Sequence, residues 1–240
     1  MKTCIVVPTY NECENIRELL RDIRHEVPQA DVLVVDDNSP DGTGAIVTEM
    51  ARDDAKLHLL ARTERGRGTA GRDGFKWALQ HGAEYVVEMD ADYSHHPRYL
   101  PAILAAAERA DVVLGSRYVA GGKETGRPLF RQIVTRFAGV FMRVALGVKV
   151  RDPSSGYRCF RRRVLQAVDL DTLQSTGPSI VAEMLLKARL HGFRMAEVPI
   201  VFEDRVRGAS KLDSKVLLQT LVMVCRLRWQ HRRLRSGTDG

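Results

Sequence analysis

Short apolar segments alternate with amphipathic segments along the first half of this chain of 240 residues. Each apolar segment has the length of a buried strand, and each is followed by apolar residues at helical spacing. Strands that alternate with helices predict an α/β fold whose mostly parallel sheet is flanked by helices. The predicted strands are 4–8, 31–36, 57–61, 85–89 and 111–115, and the predicted helices are 11–23, 43–52, 70–81 and 99–107.

The second half changes character, because arginine-rich amphipathic segments replace the regular alternation. The pattern predicts helices over 127–148, 181–191 and 216–228, a strand over 195–202 and a basic loop over 204–211. We expect one domain over 1–212, with halves at 1–116 and 117–212, followed by an amphipathic basic tail over 213–240. Neither apolar-rich segment, 133–150 or 216–225, is predicted to cross a bilayer, which needs about 20 apolar residues.

Two aspartates, Asp90 and Asp92, follow the apolar run that ends at Met89. In an extended strand end, residues two apart point to the same side, so both carboxylates can reach one spot. Mg²⁺ favours oxygen ligands and usually takes one or two carboxylates plus substrate phosphates. A solvated turn is the alternative interpretation. Segments 8–12, 36–41 and 90–94 all lie at predicted carboxyl ends of strands, where ligands of parallel sheets bind.

The net charge of +7 indicates an anionic partner, such as a nucleotide, a lipid phosphate, a membrane surface or nucleic acid. A basic protein without such a partner is equally compatible with the charge. No RRM, zinc or helix-turn-helix signature supports nucleic-acid binding. A dinucleotide-binding dehydrogenase is disfavoured, because no Gly-x-Gly-x-x-Gly follows the first strand. The four cysteines show no metal spacing, which favours reduced thiols in a cytosolic protein.

Seven short motifs follow one another between about residue 3 and residue 212. They are 8–12 (PTYNE), 35–43 (VDDNSPDGT), 66–70 (GRGTA), 89–97 (MDADYSHHP), 115–122 (GSRYVAGG), 152–158 (DPSSGYR) and 204–211 (DRVRGASK). In this order they resemble the family-2 glycosyltransferases with a GT-A, Rossmann-like fold. The resemblance extends to the dolichyl- and polyprenyl-phosphate mannosyltransferases. It implies a metal-dependent hexosyltransferase that inverts the anomeric centre.

The resemblance implies a nucleotide-sugar donor, expected to be GDP-mannose, together with a Mg²⁺ or Mn²⁺ ion. The residues that would bind the donor nucleotide are Pro8, Tyr10, Glu12, Asp37 and Asp90. The residues that would hold the metal are Asp90, Asp92 and Ser94. Many relatives carry glutamine at the position of Ser94, and serine is shorter, so the metal could instead rest on Asp92 and the diphosphate. Asn11 and Glu12 could instead start the following helix as a cap and a first-turn acid.

The implied acceptor is a dolichyl or polyprenyl monophosphate, which guanidinium groups can bind bidentately. The residues implied to cradle its phosphate are Arg117, Arg131, Arg205 and Lys211. Catalysis is expected to rest on Asp90, Asp92 and Arg117. Because a phosphate is ionised near neutral pH, we expect no strong general base. A UDP-sugar donor, or a saccharide or small-molecule hydroxyl as acceptor, remains the alternative.

The helical segments at 133–148 and 216–228 have apolar faces with arginines beside them or after them. Such helices can lie on an anionic leaflet. We therefore expect a cytoplasmic protein that is peripheral on the cytoplasmic face of a membrane or bound to a membrane-anchoring subunit. The alternative is that both helices pack in the core or against another subunit.

Overall fold

The computed structural model describes residues 2–203 and 220–229 and is built around a seven-stranded sheet. The strands, numbered along the chain, are β1 (Thr3–Thr9), β2 (Asp31–Asp36), β3 (Leu57–Ala61), β4 (Tyr85–Glu88), β5 (Val112–Ser116), β6 (Lys123–Thr125), β7 (Arg158–Arg161), β8 (Met195–Pro199) and β9 (Val201–Glu203). The order across the large sheet is β3-β2-β1-β4-β7-β5-β8, and β6 pairs with β9 in a separate small sheet.

Helices cover both faces of the large sheet. They are α1 (Ile16–Glu26), α2 (Thr43–Met50), α3 (Arg67–Gln80), α4 (Leu100–Ala107), α5 (Leu129–Leu146), α6 (Arg162–Val168) and α7 (Ile180–Leu190). Short 3₁₀ turns occupy Pro97–Tyr99 and Leu170–Thr172, and residues 220–229 are helical. No helix in the described ranges is long and apolar enough to cross a membrane.

The core has two halves, one on each side of the sheet. Alternate side chains of β1 point to opposite faces, so Cys4 and Val6 join one half while Ile5 and Val7 join the other. Helices α1, α2 and α4 cover the half that contains Ile5, and α3, α5, α6 and α7 contribute to the other half. This burial on both faces explains why the strands are almost continuously apolar.

The predicted mostly parallel α/β sheet is confirmed, with one exception. Strand β7 runs antiparallel between β4 and β5, so β5 remains parallel to β4. The sequence analysis predicted neither β7 nor α6. The predicted strand 195–202 is also divided, because β8 ends at Pro199 and β9 pairs elsewhere. Helix α1 begins five residues later than predicted, because Asn11 adopts a positive φ of 60° and its segment forms a turn.

The parallel strands place the motifs at one edge of the sheet. Strands β1, β2, β4 and β5 run in the same direction, and their last residues, Thr9, Asp36, Glu88 and Ser116, therefore face the same edge. The loops that follow them carry the motifs at 8–12, 35–43, 89–97 and 115–122. The predicted convergence of segments 8–12, 36–41 and 90–94 is confirmed, and the segment 115–122 joins them.

Candidate active site

The loops after β1 and β2 are joined by the buried carboxylate of Asp36. Its Oδ1 accepts a hydrogen bond from Thr9 Oγ1 at 3.0 Å, and its Oδ2 accepts one from Ser39 N at 3.0 Å. Ser39 Oγ in turn accepts a hydrogen bond from Asn11 N at 2.9 Å. Asp36 therefore holds the loops after β1 and β2 together. The next residue, Asp37, has different partners.

Asp37 lies where the β2 loop meets the start of α3. Its carboxylate accepts hydrogen bonds from Arg62 Nη1 at 2.5 Å and from Gly66 N at 2.8 Å. Nearby, the guanidinium carbon of Arg65 lies 3.6 Å from the ring centroid of the half-buried Tyr10. The predicted nucleoside residues Asp37 and Tyr10 are thus bordered by one loop, which spans residues 62–66.

Two more of the five predicted nucleotide residues lie on the same edge. Pro8 is buried in β1 opposite Val35 of β2. Glu12 N donates to Thr43 Oγ1 at 3.0 Å, and Glu12 Oε2 accepts from Asn15 Nδ2 at 3.0 Å. The backbone carbonyl of Glu12 accepts hydrogen bonds from the amides of Asn15 and Ile16. Glu12 therefore belongs to the turn that leads into α1, and the cap position is taken by Asn15.

A chain of alternating charges runs through the centre of the edge. The carboxylate of Glu88 is fully buried and accepts hydrogen bonds from Arg158 Nη2 at 2.8 Å and from Arg67 Nη1 at 2.6 Å. Arg67 Nη2 also donates to Asp90 Oδ1 at 2.9 Å, and His95 Nδ1 lies 3.2 Å from Asp90 Oδ2. This arrangement connects α3, β4 and β7 at the predicted metal site.

The pKa of Asp90 reports this environment. Burial alone would raise the pKa of Asp90, but the charges of Arg67 and His95 and their hydrogen bonds hold it well below its usual range. The pKa of Arg67 moves the opposite way, because Glu88 and Asp90 outweigh the lowering effect of burial. Asp90 is therefore ionised and held by two neighbours.

Asp92 has a different setting from Asp90. It is buried, and its Oδ1 accepts hydrogen bonds from Ser94 N at 3.1 Å and from Ser94 Oγ at 2.6 Å. Across the described part of the chain, no three His, Cys, Asp or Glu side chains are grouped so as to hold a metal. Mg²⁺ and Mn²⁺ need few protein carboxylates when phosphate oxygens complete their coordination shell. The carboxylate oxygens of Asp92 therefore still fit either ion if a diphosphate supplies the other ligands.

Arg117, predicted to contact the acceptor, is locked in a buried ion pair. Its Nε donates to Asp152 Oδ2 at 2.7 Å, and its Nη2 donates to Asp152 Oδ1 at 2.8 Å and to Ser154 Oγ at 2.8 Å. Glu124 Oε1 lies 3.8 Å from Arg117 Nη1. Burial raises the pKa of the neighbouring Tyr118 to about 12, which keeps its hydroxyl protonated at neutral pH.

Phe202 of β9 connects the two parts of the site. The guanidinium carbons of Arg117 and Arg127 lie 5.2 Å and 5.4 Å from its ring centroid. The ring of His95, which contacts Asp90, lies 5.7 Å from the same ring in an edge-to-face arrangement. The aspartate loop and the arginine cluster therefore adjoin each other across one aromatic side chain.

Arg131 lies on α5, where it is exposed. It forms no ion pair within residues 2–203 and 220–229, unlike Arg117. Large apolar side chains on the same helix are also exposed, including Leu129, Phe130, Phe137 and Val144, each by more than 60%. The other two predicted acceptor residues, Arg205 and Lys211, lie outside the described residues.

Comparison with known proteins identifies the family of this chain. Residues 4–169 match the sequence profile of Glycosyl transferase family 2, which is more than half of the chain. The chain belongs to Glycosyl transferase family 2.

Two curated relatives match nearly the whole chain. An undecaprenyl-phosphate mannosyltransferase of Micrococcus luteus is 40% identical over 99% of this chain and 100% of its own length. A polyprenol monophosphomannose synthase of Mycolicibacterium smegmatis is 40% identical over 93% of this chain and 85% of its own.

A solved structure shares the fold of this family 2 chain. It is a mannosyltransferase of Pyrobaculum calidifontis in complex with GDP-Man and Mn²⁺. It superposes with a TM-score of 0.60 at 21% identity, over 94% of this chain and 64% of its own.

The sequence analysis of this family 2 transferase missed part of the charged centre. Arg67, Glu88 and Arg158 were not assigned a role. Glu88 carried a usable signal, because a charged residue inside an apolar strand needs a buried partner. The sequence could not name that partner, since Arg158 is 70 residues away along the chain.

Proposed function

We propose that this chain transfers a mannosyl group from GDP-mannose to a polyprenyl monophosphate, with inversion at the anomeric carbon. The proposal is supported by the names of the relatives, which are an undecaprenyl-phosphate mannosyltransferase and a polyprenol monophosphomannose synthase. The neighbour that binds GDP-Man and Mn²⁺ supports the donor and the metal.

One observation carries the acceptor assignment: the exposed cation Arg131 shares α5 with an exposed apolar stripe. Phe130, Ile133, Phe137 and Val144 recur at helical spacing along that stripe, and all are exposed. A lipid monophosphate is an anion attached to a hydrocarbon chain. On this helix, Arg131 can bind the anion and the apolar stripe can contact the hydrocarbon. An acceptor that is a water-soluble saccharide needs neither.

The donor would lie along the edge between β1 and β4. In this proposal the nucleoside contacts Pro8, Tyr10, Glu12 and Asp37, and the diphosphate extends toward Asp92. A bound Mg²⁺ or Mn²⁺ would neutralise the charge that develops on the leaving diphosphate. Asp92 would hold that ion, and Ser94 would hold Asp92 through the two hydrogen bonds described above.

The transfer itself would require little proton chemistry. An oxygen of the lipid phosphate attacks the anomeric carbon, the new C–O bond forms, and the bond to the nucleoside diphosphate breaks. The acceptor oxygen is already ionised near neutral pH, so no side chain has to remove a proton. Arg117, Arg131, Arg205 and Lys211 would hold the phosphate in line, with Asp152 fixing Arg117 in place.

The same stripe on α5 would bind the cytoplasmic face of a membrane. Exposed apolar side chains would enter the interface, while Arg136 and Arg143 of this helix are available to anionic headgroups. Residues 220–229 add to the surface, because Val222 and Trp229 are exposed and Arg228 Nη1 donates to Val144 O at 3.2 Å. A membrane-anchoring subunit is the other candidate for covering the stripe.

A product assay tests the reaction. The protein is incubated with Mn²⁺ or Mg²⁺, a short polyprenyl phosphate and either GDP-mannose or UDP-glucose, and glycolipids are identified by mass. We expect a mannosyl-phosphate lipid from GDP-mannose only, and no product from the corresponding polyprenol without phosphate. Transfer to the polyprenol without phosphate would favour the alternative with a hydroxyl acceptor. A product from UDP-glucose alone would favour the alternative with a UDP-sugar donor.

Flotation on anionic liposomes tests the surface on α5. The double variant F137S/V144S removes two exposed apolar side chains and should reduce bound protein at least fivefold. Leu190 on α7 is also exposed, by 39%, so L190S is the matched control and should bind as the parent does. Equal binding of all three proteins would mean that the stripe does not contact lipid and is free for a protein subunit.

A further inference from the structure

The loop at 62–66 carries an exposed arginine that the proposed reaction does not yet use. The guanidinium carbon of Arg65 lies 3.6 Å from the centroid of the Tyr10 ring. This is well inside the distance of about 6 Å at which a cation is attracted to an aromatic face. Because the proposed function places the nucleoside on Tyr10, the Arg65 side chain lies beside the expected position of the base.

Arg65 differs from the two arginines that flank it. Arg62 donates to Asp37 Oδ1 at 2.5 Å, and its Nε lies 3.0 Å from Asp73 Oδ2. Arg67 is bound by two carboxylates, as described above. In the part of the chain that the structure describes, the contact of the Arg65 guanidinium is with an aromatic ring, and no carboxylate pairs with it. Its charge is therefore not neutralised by a neighbouring acid.

Backbone hydrogen bonds hold the loop that carries Arg65. Arg62 N donates to Asp36 O at 2.8 Å at one end of the loop, and Gly66 N donates to Asp37 Oδ2 at 2.8 Å at the other end. Both acceptors belong to the carboxyl end of β2. The backbone of Arg65 is thus held at the edge of the sheet, and its side chain extends from there to the loop after β1.

The chemistry of the guanidinium indicates what it could bind. The group is planar and carries five N–H donors in a fixed fork, and contact through its face leaves the donors at its edge for other acceptors. Guanine presents two adjacent acceptors, O6 and N7, which arginine binds with two parallel hydrogen bonds. Adenine presents an amino group beside N7, and uracil presents a single acceptor, O4, at the corresponding edge. Only guanine matches the fork with two acceptors.

We infer that Arg65 is a specificity-determining residue that selects a guanine nucleotide by donating hydrogen bonds to O6 and N7 of the base. This role deepens the proposed function and rests on its placement of the nucleoside on Tyr10 and Asp37. It would give this chain a physical reason to prefer GDP-mannose to a UDP-sugar, a choice that the sequence motifs leave open.

Calorimetric titration with nucleoside diphosphates in the presence of Mn²⁺ tests this role without a donor sugar or a lipid. The decisive pair of ligands is GDP and 7-deaza-GDP, in which a CH group replaces N7. The parent protein should bind GDP about tenfold more tightly, the size expected for one hydrogen bond to a charged group. The variant R65M keeps the length of the side chain without its donors, so it should bind both guanine ligands within about twofold of each other.

Binding of UDP separates contact with the base from contact with the diphosphate. R65M should bind UDP within about twofold of the parent, because uracil does not use both donors. An equal loss of GDP and UDP affinity in R65M would mean that Arg65 binds the diphosphate, and it would overturn the inference. The same holds if R65M keeps the preference for GDP over 7-deaza-GDP.

A second exposed arginine beside a tyrosine provides the matched control. The guanidinium carbon of Arg98 lies 5.0 Å from the ring centroid of Tyr99, but its Nη2 also lies 3.5 Å from Glu203 Oε1. R98M should therefore bind all three nucleotides as the parent does.

The comparison of GDP with 7-deaza-GDP on the parent protein needs no variant, so it decides the point even if R65M does not fold. Equal binding of the two ligands would overturn the inference. The product assay reports the reaction separately. A parent that forms the mannosyl-phosphate lipid but does not distinguish the two ligands would refute the role of Arg65 alone. A parent that distinguishes them but forms no product would refute the proposed reaction alone.

Discussion

Replacing Asp152 by asparagine should remove one of the main stabilising interactions of the acceptor side. The carboxylate of Asp152 is fully buried, and the side chain of Arg117 is 7% exposed. Asp152 accepts hydrogen bonds from Arg117 Nε, Nη2 and backbone N, at 2.7, 2.8 and 3.1 Å. D152N keeps the shape of the side chain but leaves a buried guanidinium without its bidentate partner.

The magnitude follows from what remains around Arg117. Removing one partner of a buried ion pair costs about 3–5 kcal/mol, because the other charge stays desolvated. Asparagine can still accept one hydrogen bond, and Glu124 lies 3.8 Å from Arg117 Nη1. We therefore expect a loss near the lower end, about 3 kcal/mol in the free energy of unfolding.

Equilibrium unfolding in urea near pH 7.5 measures this loss. The control is E49Q, which breaks the exposed pair between Arg17 and Glu49 at 3.0 Å, where the side chains are 39% and 62% exposed. Exposed pairs contribute about 0–1 kcal/mol, so E49Q should change stability by less than about 0.5 kcal/mol. If D152N costs less than about 1 kcal/mol, the pair with Arg117 is not stabilising and the reasoning fails.

The pH dependence gives a second check on the same pair. Burial would raise the pKa of Asp152, but the charge and hydrogen bonds of Arg117 lower it below its ordinary value of 3.8. A carboxylate with a lowered pKa in the folded state contributes fully above the unfolded value, and the contribution is lost as the pH falls through the folded pKa. The difference between the parent and D152N should be constant from about pH 8 to about pH 5 and shrink below about pH 4.

Three further predictions use other contacts. R131A should raise the KM for the lipid phosphate about tenfold. It should change the free energy of unfolding by less than about 0.5 kcal/mol, because Arg131 is exposed. An unchanged KM would mean that Arg131 does not bind the acceptor. G68A should cost about 1–3 kcal/mol, because its Cβ would lie 2.6 Å from Gly177 O. G139A, whose Cβ meets nothing within 4 Å, is the control and should not destabilise. D41N should melt earlier at neutral pH, because hydrogen bonds from Thr43 and Cys13 overcome partial burial and lower the pKa of Asp41 to about 2. That deficit, followed by thermal melting, should disappear as the pH falls from about 4 to about 2, and a constant deficit would contradict the assignment.

The regular first half of the fold could be predicted because its signals are local. Strands such as Asp31–Asp36 and Leu57–Ala61 were predicted with their observed bounds, since a short apolar run between polar turns is typical of a strand. The same local logic predicted that the segments after β1, β2 and β4 would meet at one edge. Parallel strands run in the same direction, so the loops that follow them lie at the same edge of the sheet.

Strand β7 could not be predicted because its signals are not local. Its four residues, Arg158–Arg161, begin and end with arginine, which is typical of an exposed segment. The strand is nevertheless central, and Arg158 is fully buried because Glu88 lies opposite it. Only the pairing of β4 with β7 shows that the arginine is needed there.

The sequence by itself determined the layered α/β fold and the loops that form the site, because apolar periodicity and turn residues act over a few neighbouring positions. It also indicated that α5 is amphipathic. The tertiary structure alone decided the partners of the charges: Arg117 with Asp152, and Arg67 between Glu88 and Asp90. A buried charge must be balanced by an opposite charge, but any element that the fold brings close can supply it. The partner of each buried charge therefore depends on which side chains the fold places beside it.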